Sequence, residues 1–268
     1  MTSDVIYLLF YYVIGYRKKV VLENLKLTFP DKTEKELVEI QKKFFRHFSD
    51  MFVEGIKAFT ISKKSIQKRY TYSNIELIDS LYKQGKSIVL VSSHYANWEW
   101  VIGLSLSTKI DFYGSYTKIQ NKNFERLIKS SRSKFGMHCV KSTEIIKGIL
   151  KNEKQQKQGL YLLISDQSPQ IQKNQYWAPF LNVEVPVFMG AEIISKKFDC
   201  AVVNMNTTKV KRGYYTSEFE LITDQPKKLP QNEITDRYLK ITEAHIRAQP
   251  EFYLWSHKRF KHKDKATK

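Results

Sequence analysis

The chain has 268 residues, 42% of them hydrophobic, and only two cysteines, Cys139 and Cys200. That length suits one large domain with its own core, and two cysteines outside any CxxC or Cys/His spacing argue against a disulfide framework or a structural zinc site. The 45 basic residues exceed the 27 acidic ones, leaving a net charge of +18, which calls for acidic partners: nucleic acid, an anionic membrane surface, a phosphorylated substrate or an acidic carrier protein.

Residues 5–16 read VIYLLFYYVIGY, and Arg17, Lys18 and Lys19 follow. As a helix this run rises about 18 Å, short of the ~30 Å hydrocarbon core of a bilayer. Its charges follow the apolar stretch, where a signal peptide would place them before it. Aromatic side chains backed by lysines suit a membrane interface; an amphipathic helix packed on the domain is the alternative. The short polar start MTSD before an abrupt apolar run has the look of a longer anchor cut away. Residues 1–29 are therefore expected to associate with a membrane, residues 30–260 to form the main domain, and residues 261–268 to be a basic tail without fixed structure at its end.

A helix is expected over 18–27. Thr33 and Glu36 then make a capping box, and Leu37, Ile40, Phe44, Phe45, Phe48, Phe52 and Ile56 recur at helical spacing. His47, among these aromatics, is expected to be structural. From residue 70 strand-like and helix-like segments alternate. Helices are expected over 74–83, 98–107, 121–134, 142–153 and 231–247, and strands over 87–93, 110–116, 160–165, 200–206 and 214–221. The run SIVLVSS (87–93) is apolar without alternation, as in a strand covered on both faces. This alternation predicts an α/β fold, with a mainly parallel central sheet flanked by helices and the helical N-terminal segment attached.

The strand 87–93 delivers His94 to its carboxyl end, where ligands bind in open α/β sheets. Asn97 is a good N-cap for the next helix, which puts His94 in the turn and Glu99 in the first helical turn. Across such a junction the two can meet, and a carboxylate on one imidazole nitrogen would fix the tautomer and stabilise the cation formed when the other takes a proton. The plain alternative is a capping histidine with a surface glutamate. No GxSxG nucleophile motif is present. A histidine base without a protein nucleophile suggests that the substrate supplies the attacking group, as when an alcohol attacks an activated acyl group.

HYANWE (94–99) resembles the HxxxxD/E box of the glycerolipid acyltransferase superfamily, in the form typical of the bacterial lipid A late acyltransferases, the lauroyl and myristoyl transferases. Four other blocks are similar to that family in the same order: RKKVVLENLKLTFP (17–30), YTKIQNKNFERLIKSSRSKFG (116–136), LLISDQSPQ (162–170) and YLWSHKRFK (253–261). Four places depart from it. Ala96 stands where Gly is usual, Tyr116-Thr117-Lys118 replaces Tyr-Arg-Pro, Asn121-Lys122 replaces Asn-Pro, and VPVFMG (185–190) replaces a Thr-Gly-rich segment.

The resemblance implies a membrane-associated O-acyltransferase at the cytoplasmic face of a bacterial inner membrane. His94 would deprotonate a hydroxyl of a phosphorylated glycolipid acceptor, a lipid A precursor, and Glu99 would orient His94. The donor would be an acyl thioester on acyl carrier protein, with no covalent acyl-enzyme, cofactor or metal. Arg132 would stabilise the oxyanion or bind phosphate, and Asp166 would pair with Arg132 or position the acceptor. Lys258 and Arg259 would contact substrate, carrier or membrane; Asn97 is placed with the substrate-binding residues, although it also shapes the junction. Another lipid acceptor (an amino-acid lipid or a glycolipid) and a thioester or lipid hydrolase remain as alternatives. Nucleic-acid binding has only the charge in its favour, because no recognisable binding motif interleaves the basic residues. An inert membrane scaffold is a further alternative.

Overall fold

A computed structural model describes residues 2–117, 119–172 and 175–265. Lys118 of the Tyr-Thr-Lys block and the last three residues of the basic tail lie outside the described residues. The main sheet has seven strands: β1 (Tyr70–Ser73), β2 (Ile88–Ser92), β3 (Asp111–Tyr116), β4 (His138–Lys141), β5 (Gly159–Ile164), β8 (Ala201–Lys211) and β9 (Tyr214–Thr223). Their order is β1-β9-β8-β2-β5-β3-β4. Every neighbouring pair is parallel except β8 and β9, which form a hairpin whose turn uses Gly213 at φ +72°. A separate antiparallel pair consists of β6 (Trp177–Phe180) and β7 (Val183–Pro186). Helices flank the main sheet, so this is an α/β fold.

Strand β2 explains its own lack of alternation. Ile88, Val89, Leu90 and Val91 are all 0% exposed, because β5 and β8 pair with its two edges and helices cover its faces. Burial of such side chains contributes about 1.5–3 kcal/mol each, which anchors the strand that carries His94.

The N-terminal helices are α1 (Thr2–Leu8), which continues as one π turn over Leu9–Val13, α2 (Lys18–Thr28) and α3 (Glu34–Ala58). The capping box at Thr33 and Glu36 is formed in both directions. Tyr7 and Tyr11 are buried, with the Tyr11 ring 5.4 Å from that of Phe45 on α3. Val5, Leu8, Tyr12, Val13 and Ile14 stay exposed, as do Phe52 and Ile56 on α3. Phe10 and Phe52 meet edge to face at 5.6 Å, so the two helices present one apolar surface. Among the described residues no helix is long and apolar enough to cross a membrane.

Two long-range clamps bring residues 252–259 to the sheet's carboxyl edge. Asn24 on α2 donates to the carbonyls of Trp255 and His257, both at 2.8 Å, and Arg17 donates to the carbonyl of Ser256 at 2.9 Å. The same segment pairs with the turn after β2. Ala96 N–H donates to the Phe252 carbonyl at 3.0 Å and Leu254 N–H to the His94 carbonyl at 3.1 Å, around an antiparallel bridge between Tyr95 and Tyr253.

His47 is buried, and its Nδ1 lies 3.2 Å from Lys209 Nζ. Burial first, then the Lys209 charge, lowers its pKa to about 3, so it is a neutral structural imidazole at pH 7.

Candidate active site

The parallel register of β2 and β5 aligns Ser92 with Ile164. Two residues beyond those partners stand His94 and Asp166, so neighbouring strands deliver an imidazole and a carboxylate to the same point. Asp166 Oδ1 lies 2.7 Å from His94 Nδ1 and accepts the His94 backbone N–H at 3.0 Å. Asp166 is 1% exposed. Burial alone would raise its carboxyl pKa, but the His94 charge and the hydrogen bonds from His94 outweigh this and lower it. An ionised Asp166 accepts from Nδ1–H and leaves Nε2 as the proton acceptor. The His94 ring also meets Trp98 edge to face at 5.1 Å.

Glu99 does not supply that carboxylate. It forms a two-pronged ion pair with Arg132 of α6 (Lys122–Ser133): Nη2 to Oε1 at 2.7 Å and Nε to Oε2 at 3.2 Å. Burial opposes the Arg132 charge, and the Glu99 carboxylate more than restores it, raising the guanidinium pKa. The expectation that Glu99 orients His94 is therefore corrected, as is the pairing of Asp166 with Arg132. The segment Trp98–Leu106 is a 3₁₀ helix, where an ordinary helix over 98–107 was expected.

Asn97 caps that segment as expected, accepting Trp100 N–H at 3.0 Å. Its other end is fully buried and donates to Glu54 of α3 at 2.6 Å. A placement among substrate-binding residues does not fit a side chain enclosed on all sides. Glu54 also accepts from the Tyr215 hydroxyl at 2.8 Å, and its carbonyl accepts from Trp100 Nε1 at 3.1 Å. Glu54 thus pins the turn from beneath. The sequence carries a signal for it: an acid between Met51 and Ala58 at helical spacing on a buried face.

Ala96 has φ +50° and is 0% exposed. A left-handed residue is disfavoured by its Cβ, which accounts for the glycine usual at this position in the family it resembles. Arg259, expected to touch substrate, is instead 1% exposed. It donates to the Pro186 carbonyl at 3.2 Å and lies over the Phe180 ring at 5.3 Å. Lys258 is exposed and does not line the cleft described next.

His94, Glu99 and Arg132 open on a cleft of about 670 Å³, whose apolar walls include Trp98, Ile119, Phe124, Ile128, Leu163, Phe188 and Ile194. A shallower groove of about 340 Å³, lined by Tyr16, Phe48, Met51, Phe52 and Leu254, shares Trp98, Glu99 and Gln167 with it. The two spaces therefore lie against the same three residues beside the site. Among the described residues no serine or cysteine hydrogen-bonds the His94 ring, and no three His, Cys, Asp or Glu side chains converge to hold a metal ion. The arrangement can accept a proton from a bound hydroxyl or water and stabilise the resulting imidazolium.

Comparison with known proteins matches residues 5–262 to the family model described as bacterial lipid A biosynthesis acyltransferase. The chain is 23% identical over 253 residues to the lipid A biosynthesis palmitoleoyltransferase of Escherichia coli (strain K12), covering 91% of this chain and 79% of that protein. It has the same identity and coverage with the lipid A biosynthesis acyltransferase of Shigella flexneri.

Proposed function

The chain belongs to the bacterial lipid A biosynthesis acyltransferase family and is an acyltransferase, and from that premise we propose that it moves a fatty acyl chain from a thioester donor to a hydroxyl of a lipid A precursor. The observation that carries this reading is the His94–Asp166 pair at the mouth of an apolar cleft, with no serine or cysteine on the imidazole among the described residues. His94 Nε2 takes the proton of the acceptor hydroxyl while its oxygen attacks the thioester carbonyl. Asp166 stabilises the imidazolium as it forms. The tetrahedral oxyanion then collapses, the C–S bond breaks, and the departing thiolate takes the proton from His94. Arg132, held by Glu99 at the cleft wall, is the cationic donor for the oxyanion or for an acceptor phosphate. The apolar walls suit acyl chains.

The donor in this reading is acyl carrier protein, whose acidity would complement the net charge of +18. The acceptor is a phosphorylated glycolipid, reached from the cytoplasmic face of the bacterial inner membrane. The exposed apolar surface of α1 and α3, with Arg17, Lys18 and Lys19 beside it, supports peripheral attachment to an anionic bilayer.

The test is mass spectrometry of products formed from candidate lipid acceptors and acyl-carrier donors. The expected product carries one added acyl chain, and His94→Ala abolishes it. Release of free fatty acid at the same rate with and without acceptor would favour a hydrolase; an active His94→Ala protein would remove His94 from the chemistry.

A further inference from the structure

Behind the Asp166–His94 pair lies a charged residue that the reaction above leaves unused. Asp166 and Arg259 are each 1% exposed. Asp166 makes both of its contacts with His94 through Oδ1, and its Oδ2 has no hydrogen-bond partner. Arg259 uses Nη1 for the Pro186 carbonyl, while its Nε and Nη2 have none. The charge of Asp166 acts on Arg259. Buried ions are strongly disfavoured unless an opposite charge compensates them.

The other titratable groups around Asp166 do not compensate Arg259. Tyr238 lies on α9 (Glu233–Ala248) and donates to the Ser92 carbonyl at 2.8 Å. The Tyr253 hydroxyl reaches the Asp166 carbonyl at 3.5 Å. Burial holds both phenols protonated. His257 is lowered to about 4, chiefly by burial, so it is neutral at pH 7. Its Nδ1 is also unpartnered, and the charges of Asp166 and Arg259 both act on it. Apart from His94 itself, Asp166 and Arg259 are thus the opposite charges of this enclosed region.

We propose that Arg259 is the counter-ion and positioning residue of Asp166. Arg259 keeps the carboxylate ionised and, as a nearby cation, disfavours the imidazolium. It thereby holds His94 ready to accept a proton. This rests on His94 being the base, as proposed above.

Two measurements test it, and the first needs no turnover. Thermal melts of Asp166→Asn, Arg259→Gln and the double variant should show strong coupling, the double being no less stable than either single variant, because it leaves no unbalanced buried charge. Additive losses overturn the proposal whether or not His94 is the base. The second is the pH profile of single-turnover acyl transfer. Removing the cation favours protonation, so the acid limb in Arg259→Gln should move to higher pH by about one unit, while Arg259→Lys keeps the limb near its original position. An unmoved limb in a folded Arg259→Gln protein reduces Arg259 to a packing role. If Arg259→Gln alone fails to fold, Asp166→Asn must restore folding; failure of that rescue also overturns the proposal.

Discussion

Replacing Asp166 by Asn tests the exchange of roles between the two acids of the site. Asn is nearly the same size and its oxygen can still accept the His94 backbone N–H, so the turn should persist. What disappears is the charge 2.7 Å from Nδ1. A unit charge about 4–5 Å from the centre of the imidazolium, at an effective dielectric of about 20, contributes roughly 3–4 kcal/mol. Lost from the transition state alone, that slows the chemical step about 10²–10³-fold. Glu99→Gln leaves His94 and Asp166 intact and frees Arg132 from its partner, so it should act mainly through apparent substrate affinity. The assay is single-turnover transfer of a labelled acyl group. Asp166→Asn should be far less than additive with His94→Ala, since the two act as a unit. Asp166→Asn retaining more than a tenth of normal turnover, while Glu99→Gln loses about 10³-fold, would restore Glu99 as the partner of His94 and refute this reasoning.

Ala96→Val should destabilise the protein by more than about 2 kcal/mol in urea titration, because a β-branched side chain must take a left-handed backbone in a closed space, whereas Ala96→Gly should stay within about 1 kcal/mol of the parent; a tolerated valine would show that the turn readily reshapes. His47 has a folded pKa of about 3, below its ordinary 6.5, so its contribution is full above pH 6.5 and fades as pH falls toward 3. Between pH 6.5 and about pH 4.5 this removes roughly 2–3 kcal/mol, and His47→Gln should flatten that part of the stability profile; parallel profiles for the two proteins would exclude His47 as a source of acid lability. Val13→Asp with Phe52→Asp should abolish flotation on anionic vesicles without lowering the melting temperature, and added salt should weaken binding of the parent; retention of the double variant on vesicles would place the membrane contact elsewhere.

Strands and helices of the central domain were legible because burial writes itself into apolar runs. SIVLVSS reads as a covered strand, and β2 is one. His94 at its end and the Asn97 cap follow from the same short stretch. Strands β1 and β4 and the β6–β7 pair were not anticipated: each strand spans four residues, too few to show a period. The partner of His94 was hidden for a different reason. Both runs end two residues before a polar side chain, but only strand order and register make neighbours of residues 72 positions apart. Nearness along the chain favoured Glu99, and the 3₁₀ segment leads that side chain to Arg132. Arg259 misled in the opposite way: Lys258 and Lys261 make it look solvated, yet it is buried against the Phe180 ring and the Pro186 carbonyl.

The strap formed by residues 252–259 has a consequence for how the enzyme is made. Asn24, the turn at Tyr95 and Arg259 all depend on a segment translated after every strand of the sheet. Chains emerge from the ribosome amino end first, so the apolar N-terminal surface is available to a bilayer long before the turn at His94 can be locked. On the membrane attachment proposed above, a growing polypeptide would reach the bilayer while still inert, and acyl transfer would begin only when synthesis is nearly finished. On the same proposal, a message broken shortly before codon 252 would yield a protein that attaches to vesicles but does not acylate.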